Sequence, residues 1–215
     1  SLALATLDAP HAAAVFGAED LMIATDIDNH TTFTTEAVNF TFNHILSRFN
    51  IAISTSITDG VVTLKSLEVN GLNKSGKFDE TIPDGVTLNA GTTKRWTGLS
   101  TPYALAVNDE LTVKNFAADD DETNDANKQF VYQGLVIPQI AEATTISLDG
   151  SDATSSAKPY LNIQYSITTG EGATAKSQDY SYFYNLADLF NGEGSSNLAF
   201  NEGWQNNLYI TIGAA

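Results

Sequence analysis

The chain of 215 residues contains no cysteine. Disulfide staples, thiol nucleophiles and cysteine-based zinc sites are therefore excluded. The compartment stays open, because secreted bacterial β-proteins commonly do without cysteine. Positive charge is scarce: 10 Lys and Arg stand against 26 Asp and Glu, a formal net charge of −16. That balance disfavours nucleic-acid backbones and anionic membrane surfaces as partners and suits an exposed, soluble surface. No apolar run is long enough to cross a bilayer as a helix, no heptad pattern persists, and no clean internal repeat is visible. The three histidines, His11, His30 and His44, are scattered without metal-ligand spacing. There is no Gly-x-Ser-x-Gly nucleophile elbow and no glycine-rich phosphate loop. Carboxylate pairs can be found anywhere in so acidic a chain and carry no weight. Nothing here reads as an enzyme, and no cofactor or metal is implied.

Short bursts of Thr, Val, Ile, Phe and Tyr recur between Gly, Asn, Asp and Ser, which is the punctuation of strands and turns. Within residues 38–53, Val38, Phe40, Phe42, His44 and Leu46 alternate, then Phe49, Ile51 and Ile53 continue one residue out of phase. Such a slip needs a bulge or turn, placed at Ser47-Arg48, or else a helical turn over 44–49. On this pattern His44 reads as a core histidine. Residues 61–71 read as the next strand, with Asp59-Gly60 as a hairpin turn before it. Residues 103–107 and 111–113 suggest a hairpin around Asn108-Asp109. Residues 130–137 form a strand that Pro138 confines to an edge or an end. Residues 144–148 precede the turn Asp149-Gly150. In 159–168 the odd positions, Leu161, Ile163, Tyr165 and Ile167, should face the core. Residues 179–186 are rich in aromatics, 186–190 suit a single helical turn, and 207–212 form the last strand.

Two features invite a binding role. The acidic stretch Asp119, Asp120, Asp121, Glu122, Asn124 and Asp125 is either a solvated loop or a weak calcium site. It fails the EF-hand pattern, with Asn124 at the sixth position and Phe130 at the twelfth. Trp96 and Trp204 are the two tryptophans. Trp96, among Thr and Gly, is the candidate for stacking on a sugar ring, with packing as the other reading. Trp204, opening the final strand, reads as a packing residue.

Five motifs stand in one order. Phe42, His44, Leu46, Ser47 and Arg48 form F-x-H-x-L-S-[KR]. Asp20-Leu21-Met22-Ile23-Ala24 lies upstream of them. Residues 61–71 with Gly76-Lys77-Phe78-Asp79, Leu135-Val136-Ile137-Pro138-Gln139, and Trp204 with Tyr209 and Ile212 follow. Together they resemble the Bacteroidales fimbrillin family, the type V pilins and their Mfa-like relatives. The family pattern has more chain before the Asp-Leu segment and often another strand after the terminal one, so a longer, processed or shortened pilin are all open.

The resemblance implies an all-β fold, a transthyretin-like Greek-key β-sandwich. It divides the chain into a segment 1–19, a linker or exchanged strand, and a fimbrillin-like domain 20–215. It implies a structural subunit of a bacterial surface fimbria, exported through the outer membrane, assembling head-to-tail by strand complementation and supporting adhesion. Other fimbrial subunits are its partners, with a host or bacterial surface receptor as a further one. The residues expected at the subunit interface are Leu2, Leu4 and Leu7 at one end and Leu208, Ile210 and Ile212 at the other. The rival reading is a non-polymerising cell-surface adhesin module that binds carbohydrate or protein.

Overall fold

The computed structural model describes residues 7–8, 22–26, 40–73, 75–78, 96–97, 102–107, 109–115, 129–141, 146–151, 153, 159–191 and 197–213. Fifteen strands run through them: β1 (Leu7–Asp8), β2 (Met22–Asp26), β3 (Phe40–His44), β4 (Ser47–Thr55), β5 (Val61–Asn73), β6 (Ser75–Phe78), β7 (Trp96–Thr97), β8 (Pro102–Val107), β9 (Leu111–Thr112), β10 (Gln129–Val136), β11 (Gln139–Ala141), β12 (Tyr160–Thr169), β13 (Lys176–Asn185), β14 (Leu198–Phe200) and β15 (Gln205–Ile212). The helix α1 (Leu186–Asn191) is the only α-helix among the described residues. The protein is an all-β sandwich.

One sheet has the order β10-β4-β15, and the other β13-β12-β5-β8, with β9 also on β5. Phe49, Ile51 and Ile53 of β4 point into the core between the sheets, as do Leu64, Leu67 and Val69 of β5 and Leu161 and Ile163 of β12. The alternation in 49–53 and at the odd positions of β12 therefore reports the inner face, as the sequence predicts. Phe49 is the hub. It is fully buried and meets Phe200 at 5.4 Å, Tyr132 at 5.9 Å and Phe190 at 6.1 Å between ring centroids.

Several local expectations change. The break between β3 and β4 falls at Ile45-Leu46, two residues before the expected Ser47-Arg48, and no helical turn forms there. Both residues turn inward into a second, smaller core with Phe78, Trp96, Leu135 and Ile137. Upstream of the break, Phe42 is 62% exposed and His44 is exposed, so His44 is not a core histidine. The reason is that β3 pairs with β2, and the face carrying Phe42 and His44 has no described layer packed over it. Asp59-Gly60 is not a hairpin turn, since β4 and β5 belong to different sheets and the chain crosses the sandwich there. Likewise β8 and β9 do not pair with each other; both run antiparallel along β5, one after the other. The strand 61–71 extends to Asn73 and slips register between Gln164 and Tyr165 of its neighbour. That slip sends Leu64 and then Leu67, three apart rather than two, to the same core.

Other expectations hold. β10 is an edge strand that ends before Pro138. Asp149-Gly150 is a turn, with Gly150 at φ 71° and its N–H donating to the Ser147 carbonyl at 2.8 Å. The helical turn at 186 is α1, capped by Asn185, whose Oδ1 accepts from the N–H groups of Ala187 at 2.9 Å and Asp188 at 3.2 Å.

Because Phe49 joins three aromatic contacts in a closed core, Phe49→Ala should cost about 3–5 kcal/mol. Urea unfolding followed by circular dichroism would measure this. A loss below about 1 kcal/mol would show that Phe49 is not the hub described.

Candidate functional site

The last strand is the starting point. β15 lies parallel to β4, with Gln205 opposite Arg48 and Ile212 opposite Thr55. Parallel pairing is slightly weaker per residue than antiparallel pairing. Here side chains reinforce it. Asn50 Nδ2 donates to Asn207 Oδ1 at 2.8 Å, Asn206 Nδ2 to Ser47 Oγ at 3.0 Å, and Thr55 Oγ1 to the Ile212 carbonyl at 2.9 Å. Ser54 Oγ and Thr211 Oγ1 share a bond of 3.0 Å. Leu208 and Ile212 are buried, and Ile210 packs half-buried against the main core.

On its other side β15 pairs with no strand among the described residues. The facing sheet extends past it. β13 flanks β12 there, and its inner face carries Tyr180, Tyr182 and Tyr184, with Tyr165 of β12 directly across from Tyr180. The rings form a row. Tyr165 stacks on Tyr180 at 5.1 Å, and centroid spacings of 6.3 Å and 6.4 Å lead on to Tyr182 and Tyr184. Between this wall and β15 lies an open groove of about 380 Å³. Its floor is Leu161 and Ile163, its walls are Tyr165, Tyr184 and residues 208–213, and Leu189 of α1 stands at its rim.

The groove perturbs its phenols. Burial pushes the Tyr165 hydroxyl above the usual phenol range, and the nearby Tyr182, Tyr184 and Tyr180 add to the effect. Tyr184 is raised by burial and then by Tyr182. Both effects favour the neutral phenol at Tyr165 and Tyr184.

Of the residues expected at a subunit interface, Leu208, Ile210 and Ile212 all line this groove. Leu7 belongs to β1, which pairs antiparallel with β6, far in topology from β15. Leu2 and Leu4 lie outside the described residues, as do the acidic stretch 119–125, His11 and His30. Trp96 is 2% exposed. Its Nε1 donates to the Ile45 carbonyl at 3.2 Å, and its ring meets Phe78 edge-on at 5.3 Å. An indole packed this way has no open face for a sugar, so of its two readings the packing one describes Trp96. The other tryptophan reverses its expectation too: Trp204 is 62% exposed rather than packed. The tyrosine row was not assigned a role from sequence, although Tyr at 180, 182 and 184 is a one-faced strand pattern. Among the described residues, no group of three or more His, Asp or Glu stands together as a metal site, and no helix is long and apolar enough to cross a membrane.

The class so defined is an all-β sandwich whose last strand has no partner on one side among the described residues and stands beside an open groove. The chain belongs to the fimbrillin-like family, whose pattern it matches over residues 3–186. That family is one of structural pilus subunits located at the cell surface, with other fimbrial subunits as partners. No curated protein matches the chain.

The raised phenols make a pH prediction. A folded-state pKa above the unfolded value means that the folded protein holds its protons longer as pH rises. The stability gained is complete below the ordinary phenol value of 10.0 and is lost as pH climbs through the folded values of Tyr165 and Tyr184. The melting temperature should therefore fall above about pH 10, and the double variant Tyr165→Phe/Tyr184→Phe should fall less. Equal slopes for parent and variant would show that these phenols do not drive the alkaline loss.

Proposed function

We propose that this protein is a structural subunit of a bacterial surface fimbria that polymerises head-to-tail by accepting a strand at the open edge of β15. The observation that carries the reading is the side of β15 that has no partner among the described residues, beside the groove formed by Leu161, Ile163, Tyr165 and Tyr184. A donor strand running there satisfies backbone donors and acceptors with its own and buries alternate side chains against the groove floor. Donor and acceptor surfaces differ, so the contact does not close on itself, and repetition builds a filament.

Family membership and the acidic, soluble surface support a location on the cell exterior, reached by export through the outer membrane. Adhesion to a host or bacterial receptor is the role such a filament serves. The donor is one of the chain ends of a neighbouring subunit. The segment 1–19, as an exchanged strand preceding the 20–215 domain, supplies one such end, with Leu2, Leu4 and Leu7 as its apolar teeth.

The register shows how to test the edge without breaking the domain. The Ile212 carbonyl accepts from the Ser56 N–H, so even-numbered residues of β15 turn their backbone groups toward β4. Thr211, being odd, turns its N–H to the open side. Thr211→Pro removes that donor and leaves the β4 ladder intact. It also loses the hydroxyl bond to Ser54, worth about 0.5–1.5 kcal/mol. The variant should remain folded and form few or no filaments by negative-stain electron microscopy. Deleting residues 1–7 tests the donor side in the same assay. If both variants fold and polymerise like the parent, strand addition at these ends is not how the subunits join.

A further inference from the structure

The sulfur groups that usually take up oxidising equivalents first are scarce in this chain, which has no cysteine and one methionine. Aromatic rings then carry much of that chemistry. Of the eight tyrosines, Tyr132 is 2% exposed and meets Phe49, and Tyr160 is buried against Phe183, its hydroxyl accepting from Asn70 Nδ2 at 2.9 Å. Tyrosine meets tyrosine in the row of Tyr165, Tyr180, Tyr182 and Tyr184. All four are half-buried, and Tyr165 and Tyr184 line the open groove.

One pair in the row differs from the others. Tyr165 and Tyr180 are direct partners across the antiparallel β12–β13 ladder. Phe183 turns its N–H away from β12, to the Leu148 carbonyl at 3.1 Å, so the even-numbered residues of β13 bond to β12. Tyr165 and Tyr180 therefore exchange ladder bonds, a pairing that sets Cα atoms about 5.5 Å apart. Their ring centroids are 5.1 Å apart and the rings lie within 18° of parallel. The other contacts are longer: 6.3 Å for Tyr165 with Tyr182 and for Tyr180 with Tyr182, and 6.4 Å for Tyr182 with Tyr184. Neighbours two apart on one strand are kept at that spacing by its rise of about 3.4 Å per residue. β12 is itself held on its far side by β5. The closest two phenols thus sit on a backbone fixed from both sides.

We propose that Tyr165 and Tyr180 are an oxidative cross-linking site, at which a haem peroxidase with hydrogen peroxide joins the two rings as dityrosine. Each phenol gives up one electron and one proton. The two radicals join through ring carbons ortho to oxygen. Each of those carbons then passes its hydrogen to the oxygen of its own ring, which restores both phenols. In sum one C–C bond forms, two C–H bonds break, and the two electrons and two protons reduce the peroxide to two waters. Coupling needs the rings to turn about their side-chain torsions and leaves the strands where they are. The product ties β13, the end strand of its sheet, covalently to β12. The bond lies within one subunit, so it stands or falls separately from strand addition at β15.

The test treats the 215-residue chain, kept dilute, with a haem peroxidase and hydrogen peroxide, and isolates the monomer afterwards. Lys176 is exposed and lies between the two tyrosines, so trypsin leaves them on separate peptides. In the oxidised monomer those peptides should stay joined, lighter than their sum by two hydrogens, with fragmentation placing the bond at Tyr165 and Tyr180. Dityrosine fluorescence of the monomer should be lost in Tyr165→Phe and in Tyr180→Phe, which keep the stacked ring and remove the phenol. The peptide map needs no variant and decides the matter if either substitution destabilises the protein. Peptides that separate, a bond between other tyrosines, fluorescence undiminished in the two folded variants, or dityrosine confined to oligomers would each overturn the inference.

Discussion

The rest of the structure depends on the parallel contact between β4 and β15. β4 is the middle strand of its sheet, and it supplies Phe49, Ile51 and Ile53 to the core. Its partner arrives only at the end of the chain, and the side-chain bonds between them join residues 157 apart, as in Asn50 to Asn207 and Thr55 to Ile212. Closing so long a loop costs entropy that only completed pairing repays. The polar cross-links answer this. Asn50, Ser54 and Thr55 are placed on β4 where an all-apolar strand would give no directional preference among partners. Each hydrogen bond contributes modestly, about 1 kcal/mol, but together they fix the register. A one-residue slip would bring Asn207, Tyr209 and Thr211 to the core face in place of Leu208, Ile210 and Ile212.

From that contact follows the open edge. Among the described residues the β10-β4-β15 sheet stops at β15, while the opposing sheet continues through β12 to β13. The overhang leaves Tyr165, Tyr180, Tyr182 and Tyr184 without an opposing strand among the described residues. A wall of Leu or Ile in this place would be a liability, since an exposed apolar sheet face beside an unpaired edge invites aggregation. Tyrosine keeps an apolar ring toward the core and a hydroxyl toward water. The stacked and tilted rings, 5.1 to 6.4 Å apart, cover one another's faces.

Which parts of this were legible in the sequence follows from what alternation can report. Period-two patterning names the residues that share a face, and for 49–53 and for the odd positions of β12 the apolar face was the core face. It cannot say whether a layer covers that face. Phe42 and His44 alternate as cleanly as Ile51 and Ile53, but β2–β3 has no described layer over that face. The tryptophans show the same limit. Burial of Trp96 comes from Ile45, Phe78 and Leu135, distant in sequence, whereas Trp204, inside an apparent strand motif, sits on a turn that points it outward. Turn residues were informative about bends and not about partners. Asp149-Gly150 bends as expected, while Asp59-Gly60 bends the chain across the sandwich instead of back along its own sheet. The β4–β15 pairing left no local trace, because nothing in either segment names a partner more than 150 residues away.

β15 is held on one side by β4, and its other side has no partner among the described residues. An edge strand can be capped by the chain's own remainder only if a segment reaches it with the right alternation. Of the N-terminal end, Leu7 and Asp8 are held in the β1-β6-β7 sheet, not beside β15. The groove at β15 stands beside the tyrosine wall, with its aliphatic floor of Leu161 and Ile163 beneath. A strand added there would gain the backbone ladder together with burial on the floor, at roughly 25 cal/mol for each Å² of apolar surface covered. The monomer gains no comparable benefit from local rearrangement, since drawing β15 toward β13 would pull it from β4 and break the cross-links that hold the core. β15 is thus bonded firmly to β4 on one side and, among the described residues, has no strand on the other.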